Sequence, residues 1–164
     1  MDLYIVRHAW AGHFGDPQWP NDAERPLTEE GKRRFARVVQ RLVERDFAPQ
    51  IVATSPLARC RQTAEILAAG VPTAPEVVER GELQPGGEVK GLLAWTGRQA
   101  RRWQQIAWVG HAPDVGRLAA ELIGQPDGYI HFSKAAIAAI RFEGSPEGGH
   151  GELRWLITPK LLGC

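Results

Sequence analysis

The stretch LYIVRH, residues 3–8, decides how the rest of the chain is interpreted. Its four apolar residues end abruptly in Arg7 and His8, which is typical of a short buried strand with polar groups at its carboxyl end. The same arrangement recurs at IVATS, residues 51–55, and at IAWVGH, residues 106–111. These three stretches predict parallel strands that present functional side chains along one edge of a sheet.

Helical patterns separate the strands. Thr28 can cap a helix with an apolar stripe, and Ser55-Pro56 is expected to open a second helix that ends at Gly70. The other predicted elements are a short strand at residues 76–79, helices at 89–102 and 115–122, and a hairpin formed by strands at 135–142 and 152–158. This alternation predicts an α/β fold whose mainly parallel sheet carries an antiparallel edge strand.

Composition narrows the class of protein. A chain of 164 residues fits one domain, so we expect a single domain at residues 1–164. Twenty Lys and Arg against nineteen Asp and Glu produce no global field that would favour nucleic acid or a membrane as partner. The two cysteines form no disulfide framework or zinc motif, and there is no signal-like leader or apolar span. A cytoplasmic location is expected.

The predicted sheet edge has the chemistry of phosphoryl transfer. Ligands of parallel α/β sheets bind beyond the carboxyl ends of the strands, where Arg7, His8, Arg59 and His111 should meet. Arginine binds phosphate oxygens with a planar fork, and nearby cations should lower the pKa of an imidazole and keep it nucleophilic. A single histidine after a strand more often has a structural role, so the hypothesis depends on the whole set.

Within this set, His8 is the better candidate nucleophile because it follows Arg7 on what should be the central strand. Two arginines and helix N-termini could supply the positive charge that a metal ion provides elsewhere. No metal or other cofactor is therefore expected.

Three motifs resemble signatures of the histidine phosphatase superfamily, which includes the cofactor-dependent phosphoglycerate mutases. VRHA at residues 6–9 resembles the Arg-His-Gly signature, with Ala9 where glycine is usual, and SPLARCRQT at 55–63 and VGH at 109–111 resemble the second and third signatures. Within the superfamily, the small SixA-type phosphohistidine phosphatases are the most similar group. The motifs that carry this second resemblance are RPLTEEG at 25–31, ELQPGG at 82–87 and WLITP at 155–159.

The resemblance implies a three-layer α/β/α sandwich of the phosphoglycerate mutase type, without the cap insertion that longer members carry. It also implies that His8 attacks phosphorus and becomes phosphorylated, that Arg7 and Arg59 hold the oxygens, and that His111 hydrogen-bonds the transferring group. Arg25 would either bind substrate as part of an outer basic rim or pair with a loop carboxylate.

The proton donor is the open point of this assignment. Glu82 is the best positional match to the acidic residue of the family, and Asp16 and Asp22 in the long first loop are alternatives. No donor at all is also compatible with a phosphohistidine substrate, because imidazole leaves more readily than an alkoxide.

These observations predict a phosphatase that removes phosphate from phosphohistidine on a phosphocarrier or phosphotransfer protein, a role in signal transduction. One alternative is a phosphomonoesterase that acts on a small metabolite such as a sugar or nucleoside phosphate. A second alternative is a module that binds a phosphorylated partner without turnover.

Overall fold

The computed structural model describes all residues from 1 to 164. Its strands are β1 (Asp2–Arg7), β2 (Ile51–Thr54), β3 (Glu76–Glu79), β4 (Gln105–Gly110), β5 (Ile137–Arg141) and β6 (Glu152–Ile157). Its α-helices are α1 (Glu29–Val43), α2 (Ala58–Gly70), α3 (Val89–Gln99) and α4 (Asp114–Leu122). None of these helices has the length and hydropathy needed to cross a membrane.

All six strands belong to one sheet with the order β3-β2-β4-β1-β5-β6. The strands β1 to β4 run parallel, and Arg7 at the end of β1 pairs in register with Gly110 at the end of β4. The terminal hairpin adds antiparallel ladders, first β5 on β1 and then β6 on β5. The predicted α/β fold, the central position of β1 and the antiparallel edge are confirmed.

Two apolar cores lie on opposite faces of the sheet. Because side chains alternate along a strand, Tyr4 and Val6 of β1 pack toward α1 and α2, whereas Leu3 and Ile5 pack toward α3 and α4. Burial on both faces explains why β1 is an unbroken apolar run rather than an alternating one. Helices on both faces make the three-layer sandwich that the resemblance implied.

The start of α2 differs from its prediction. The helix begins at Ala58, its N-cap residue Leu57 makes no side-chain cap, and Ser55-Pro56 lies before the helix. The Ser55 hydroxyl lies 2.9 Å from Nε2 of His111, and it accepts a hydrogen bond of 3.4 Å from the amide of Leu57, ahead of the helix. In contrast, Thr28 caps α1 as predicted, since its hydroxyl accepts a hydrogen bond of 3.0 Å from the amide of Gly31.

Candidate active site

A cavity of about 430 Å³ opens at the carboxyl ends of β1 and β4 and at the start of α2. The four residues that the sequence pointed to, Arg7, His8, Arg59 and His111, all line it. The remaining lining residues are Ala11, Gly12, His13, Phe14, Asp22, Arg25, Pro85, Ala112 and Lys134. The structure therefore brings together the strand-end residues, and it adds further cations around them.

His8 is buried and held in one tautomer. Its Nδ1 atom lies 2.7 Å from the carbonyl oxygen of Ala9, and because a carbonyl only accepts hydrogen bonds, Nδ1 carries the proton. Nε2 is then the ring nitrogen with a free lone pair. Burial is the main reason that the pKa of His8 is lowered to about 4, the hydrogen bond to Ala9 opposes this, and Arg59 and other arginines add to the lowering. The ring is neutral near pH 7.

A buried hydrogen-bond chain fixes the peptide that holds His8. The amide of Ala9 donates to the hydroxyl of Thr63 at 3.1 Å, and this hydroxyl donates to the carbonyl of Arg59 at 2.7 Å. Thr63 and Ala9 are fully buried, so water does not compete for these contacts. One turn of α2 thus positions Arg59 and the backbone beside the candidate nucleophile together.

Arg7, which is half-buried, and Arg59, which is buried, each hold a backbone carbonyl near the cavity with one terminal nitrogen. Arg7 donates from Nη1 to the carbonyl of Phe132 at 2.8 Å, and Arg59 donates from Nη1 to the carbonyl of Asp22 at 2.8 Å. The Nε atoms of Arg7 and Arg59 are buried and have no hydrogen-bond partner. Buried donors are rarely left unpaired, so two such guanidinium groups in one cavity fit a site for an anion with several oxygens.

His111 faces His8 across the cavity, with 5.3 Å between the ring centroids. Its Nε2 lies 2.9 Å from the hydroxyl of Ser55 and 3.3 Å from the sulfur of Cys60. Burial, then the charges of His8 and Arg59, lower the pKa of His111 to about 3. Burial raises the pKa of the Cys60 thiol to about 12, so this group stays protonated and packs as a small side chain.

Arg25 pairs with a loop carboxylate, as one of the two alternatives predicted, and its role in substrate binding stays a prediction. It lines the cavity, and it also pairs with a loop carboxylate, because its Nε lies 2.7 Å from Oδ1 of Asp22. A second bond of 2.7 Å, from Nη1 to the carbonyl of Gly12, fastens the loop. Asp16 lies outside the cavity lining, and its carboxylate accepts from the amide of Gln18 at 2.9 Å.

Glu82, the positional match for a proton donor, is not brought into this cavity. It lines a neighbouring cavity of about 260 Å³ that shares the His111 wall. Its carboxylate pairs with Arg80, and although burial works to raise the pKa of Glu82, hydrogen bonds and the charge of Arg80 lower it.

The segment before β5 contributes residues that sequence reasoning missed. Lys134 lines the cavity, the carbonyl of Phe132 holds Arg7, and the amide of Ala135 donates to the carbonyl of His8 at 3.2 Å. No motif marks this segment, and its position follows from the pairing of β5 with β1. Nowhere in the structure do three or more His, Cys, Asp or Glu side chains cluster as a metal site would require.

Comparisons with known proteins agree with this geometry. The model of the histidine phosphatase superfamily, branch 1, matches residues 3–125. The chain is 37% identical to an uncharacterized protein of Picosynechococcus sp., and the match covers 99% of each chain. Among solved structures, the protein histidine phosphatase SixA complexed with tungstate is 27% identical, with 99% of each chain covered and a TM-score of 0.84. The α-ribazole phosphatase from Shigella flexneri shares the fold, at 18% identity and a TM-score of 0.67, with 97% of each chain covered.

The fold and the cavity together define an α/β phosphatase. The chain belongs to the histidine phosphatase superfamily, and its overall structure is similar to that of SixA. Both the superfamily and the subgroup that the sequence motifs indicated are confirmed.

Proposed function

We propose that this phosphatase removes the phosphoryl group from phosphohistidine on a partner protein, through a phosphorylated His8. The observation that carries the proposal is the contact between Nδ1 of His8 and the carbonyl of Ala9, 2.7 Å long. This contact leaves Nε2 unprotonated, and the cavity around it is lined by Arg7, Arg25 and Arg59. A neutral nucleophile beside fixed cations is the arrangement that phosphoryl transfer needs.

In the first step, the lone pair of His8 Nε2 attacks phosphorus. A bond from Nε2 to phosphorus forms while the bond to the leaving nitrogen breaks, and the electron pair of that bond stays on the leaving atom. Arg7 and Arg59 hold the equatorial oxygens, and His111 lies opposite to contact the group in transfer.

In the second step, water attacks the phosphorus of phosphorylated His8. The bond from Nε2 to phosphorus breaks, its electron pair returns to the ring, and inorganic phosphate carries away the oxygen of the water. The hydrogen bond to Ala9 keeps the proton on Nδ1 throughout, so His8 ends in its starting tautomer.

The acid-base chemistry of the cavity favours a nitrogen leaving group. Asp22 is the one carboxylate in the lining, and it is bonded to both Arg25 and Arg59. Burial works to raise the pKa of Asp22, but the two arginines lower it, so the group is ionised and is a poor proton donor. An imidazole already protonated on its other nitrogen leaves as a neutral molecule and needs no donor, whereas an alkoxide does.

The shape of the site supports a protein substrate. All four α-helices pack on the faces of the sheet, and the first loop, with the short helical turn Asp22–Glu24, borders the cavity. A side chain on the surface of another protein can therefore approach His8. Similarity to SixA at 27% identity supports the same substrate class. A phosphocarrier or histidine-phosphotransfer protein in the cytoplasm is the proposed partner.

A comparison of substrates tests the proposal. A carrier protein radiolabelled on phosphohistidine is incubated with the wild type and with His8→Ala, beside a panel of sugar, nucleoside and aryl phosphate esters. We expect release from the carrier that depends on His8, and a transient acid-labile label on His8 in the wild type. Release by His8→Ala, or a preference of about a hundredfold or more for one ester, would overturn the proposal.

A further inference from the structure

Asp22 binds Arg59 through its backbone and its side chain at once. The carbonyl oxygen of Asp22 lies 2.8 Å from Nη1 of Arg59, and its carboxylate Oδ2 lies 3.0 Å from Nη2. The other carboxylate oxygen, Oδ1, lies 2.7 Å from Nε of Arg25. Asp22 therefore binds Arg25 and Arg59, the same two arginines that an anion in the cavity would contact.

We propose that Asp22 is an internal competitor of phosphate that weakens the grip of Arg59 on the product and thereby favours its release. This inference rests on the proposed function, because it assumes that phosphate occupies the cavity of His8.

The N–H donors of Arg59 are divided between Asp22 and any anion in the cavity. A guanidinium has five N–H groups, and Asp22 takes one from each terminal nitrogen, which leaves three for other acceptors. Arg59 is buried, with a side chain only 6% exposed, whereas the side chain of Asp22 is 37% exposed. The carboxylate thus lies on the solvent side of a buried cation.

The charge of Asp22 opposes an anion that binds the same guanidinium. A phosphate dianion on the free donors would lie about 6 Å from the carboxylate, and Coulomb's law in a water-like medium makes the repulsion equivalent to roughly tenfold in affinity. The phosphoryl oxygens keep much of their charge from the bound substrate to the product. The repulsion should therefore raise the KM and the phosphate inhibition constant together, without accelerating the chemical step.

The geometry provides a matched variant, Asp22→Asn. Its backbone carbonyl still accepts from Arg59, and its amide oxygen can still accept from Arg25. The variant loses the negative charge and the side-chain contact with Nη2 of Arg59, but it keeps these two hydrogen bonds. If Asp22 served only to position Arg59, the weaker bonds of an amide would loosen phosphate binding. If Asp22 competes with phosphate, Asp22→Asn should instead bind phosphate more tightly than the wild type.

Calorimetry with inorganic phosphate and with tungstate at pH 7.5 shows whether Asp22→Asn binds anions more tightly or more weakly than the wild type. We expect Asp22→Asn to bind both anions about three- to tenfold more tightly than the wild type, with a parallel fall in KM and no rise in kcat. Asp16→Asn, which changes a carboxylate of the same loop outside the cavity, should leave binding unchanged. Because the repulsion is electrostatic, the difference should shrink in 1 M salt.

Equal or weaker anion binding by Asp22→Asn, at low salt, would overturn the inference. A different result would count against the proposed function itself: a wild type that binds neither anion and shows no turnover dependent on His8. The two failures are therefore distinguishable in the same set of measurements.

Discussion

The hydroxyl of Thr63 lies 3.1 Å from the amide nitrogen of Ala9 and accepts its hydrogen bond. The carbonyl oxygen of the same residue, Ala9, accepts a hydrogen bond from Nδ1 of His8. Thr63 thus acts on the imidazole through the backbone of one residue, Ala9, and it does so from α2, the helix that also carries Arg59. It is a positioning residue for His8 and does not itself contact substrate.

Thr63→Val should lower kcat/KM by roughly ten- to a hundredfold, because the loop that holds His8 loses its anchor and small displacements are costly in catalysis. The buried amide of Ala9 also loses its partner, which should cost about 1–3 kcal/mol of unfolding free energy. Thr63→Ser keeps the hydroxyl and should restore both quantities. Phosphate release and urea denaturation measure them. Full activity in the valine variant, or no restoration by serine, would contradict the assignment.

Acid should destabilise the folded protein through its two buried histidines. The pKa of His8 falls to about 4 and that of His111 to about 3, whereas an unfolded histidine titrates near 6.5. Between these values the unfolded chain binds protons that the folded chain does not, so stability decreases as the pH falls from about 6.5 toward 4. The loss attributable to His8 alone is about 3 kcal/mol.

Urea denaturation at pH 7.5, 6 and 5 measures this slope. His8→Asn should flatten it, because the variant removes one buried titrating group. The exposed His131 offers a control, and His131→Ala should leave the slope as in the wild type. A slope that does not change in His8→Asn would show that the acid sensitivity arises elsewhere.

Glu82→Gln should change turnover of phosphohistidine substrates by less than about threefold. Its carboxylate lies in the neighbouring cavity and pairs with Arg80, so it is not placed to protonate a leaving group at His8. A proton donor usually contributes a factor of about 10²–10⁴, which makes the two cases easy to separate. Steady-state rates on the labelled carrier and on an alkyl phosphate are the measurement. A loss of a hundredfold on the alkyl phosphate, whose leaving alkoxide needs a proton, would restore Glu82 as the acid.

Activity should survive treatment with EDTA. Arg7, Arg25 and Arg59 supply the positive charge around the phosphoryl group, so the mechanism routes no step through a divalent ion. Phosphate release is measured before and after chelation and dialysis. Abolition of turnover, with rescue by added magnesium or zinc, would contradict the mechanism.

The convergence of Arg7, His8, Arg59 and His111 could be predicted because local patterns determine it. Short apolar runs mark strands, and parallel strands bring their carboxyl ends to one edge, so the residues that follow those runs must meet. The bounds of β3, residues 76–79, were predicted to the residue.

Other parts of the site depend on contacts that no local pattern contains. Ser55 is a good capping residue, but α2 begins at Ala58, and the Ser55 hydroxyl contacts His111, far along the chain. Lys134 reaches the cavity only because β5 returns antiparallel beside β1. Glu82 matches the family position, yet its direction is set by a side chain two residues earlier, Arg80. Long-range pairing and side-chain orientation are the information that the sequence patterns lacked.

The register between β1 and β4, with Arg7 beside Gly110, joins segments that are distant in the chain. Non-local ladders of this kind form slowly, because closing a long loop costs entropy before any contact stabilises the chain. A partly folded chain that lacks this ladder would not assemble its arginines into a cavity. Oxyanions that occupy the cavity should therefore bind the native state alone, and they should protect the protein against heat and proteases in proportion to their occupancy.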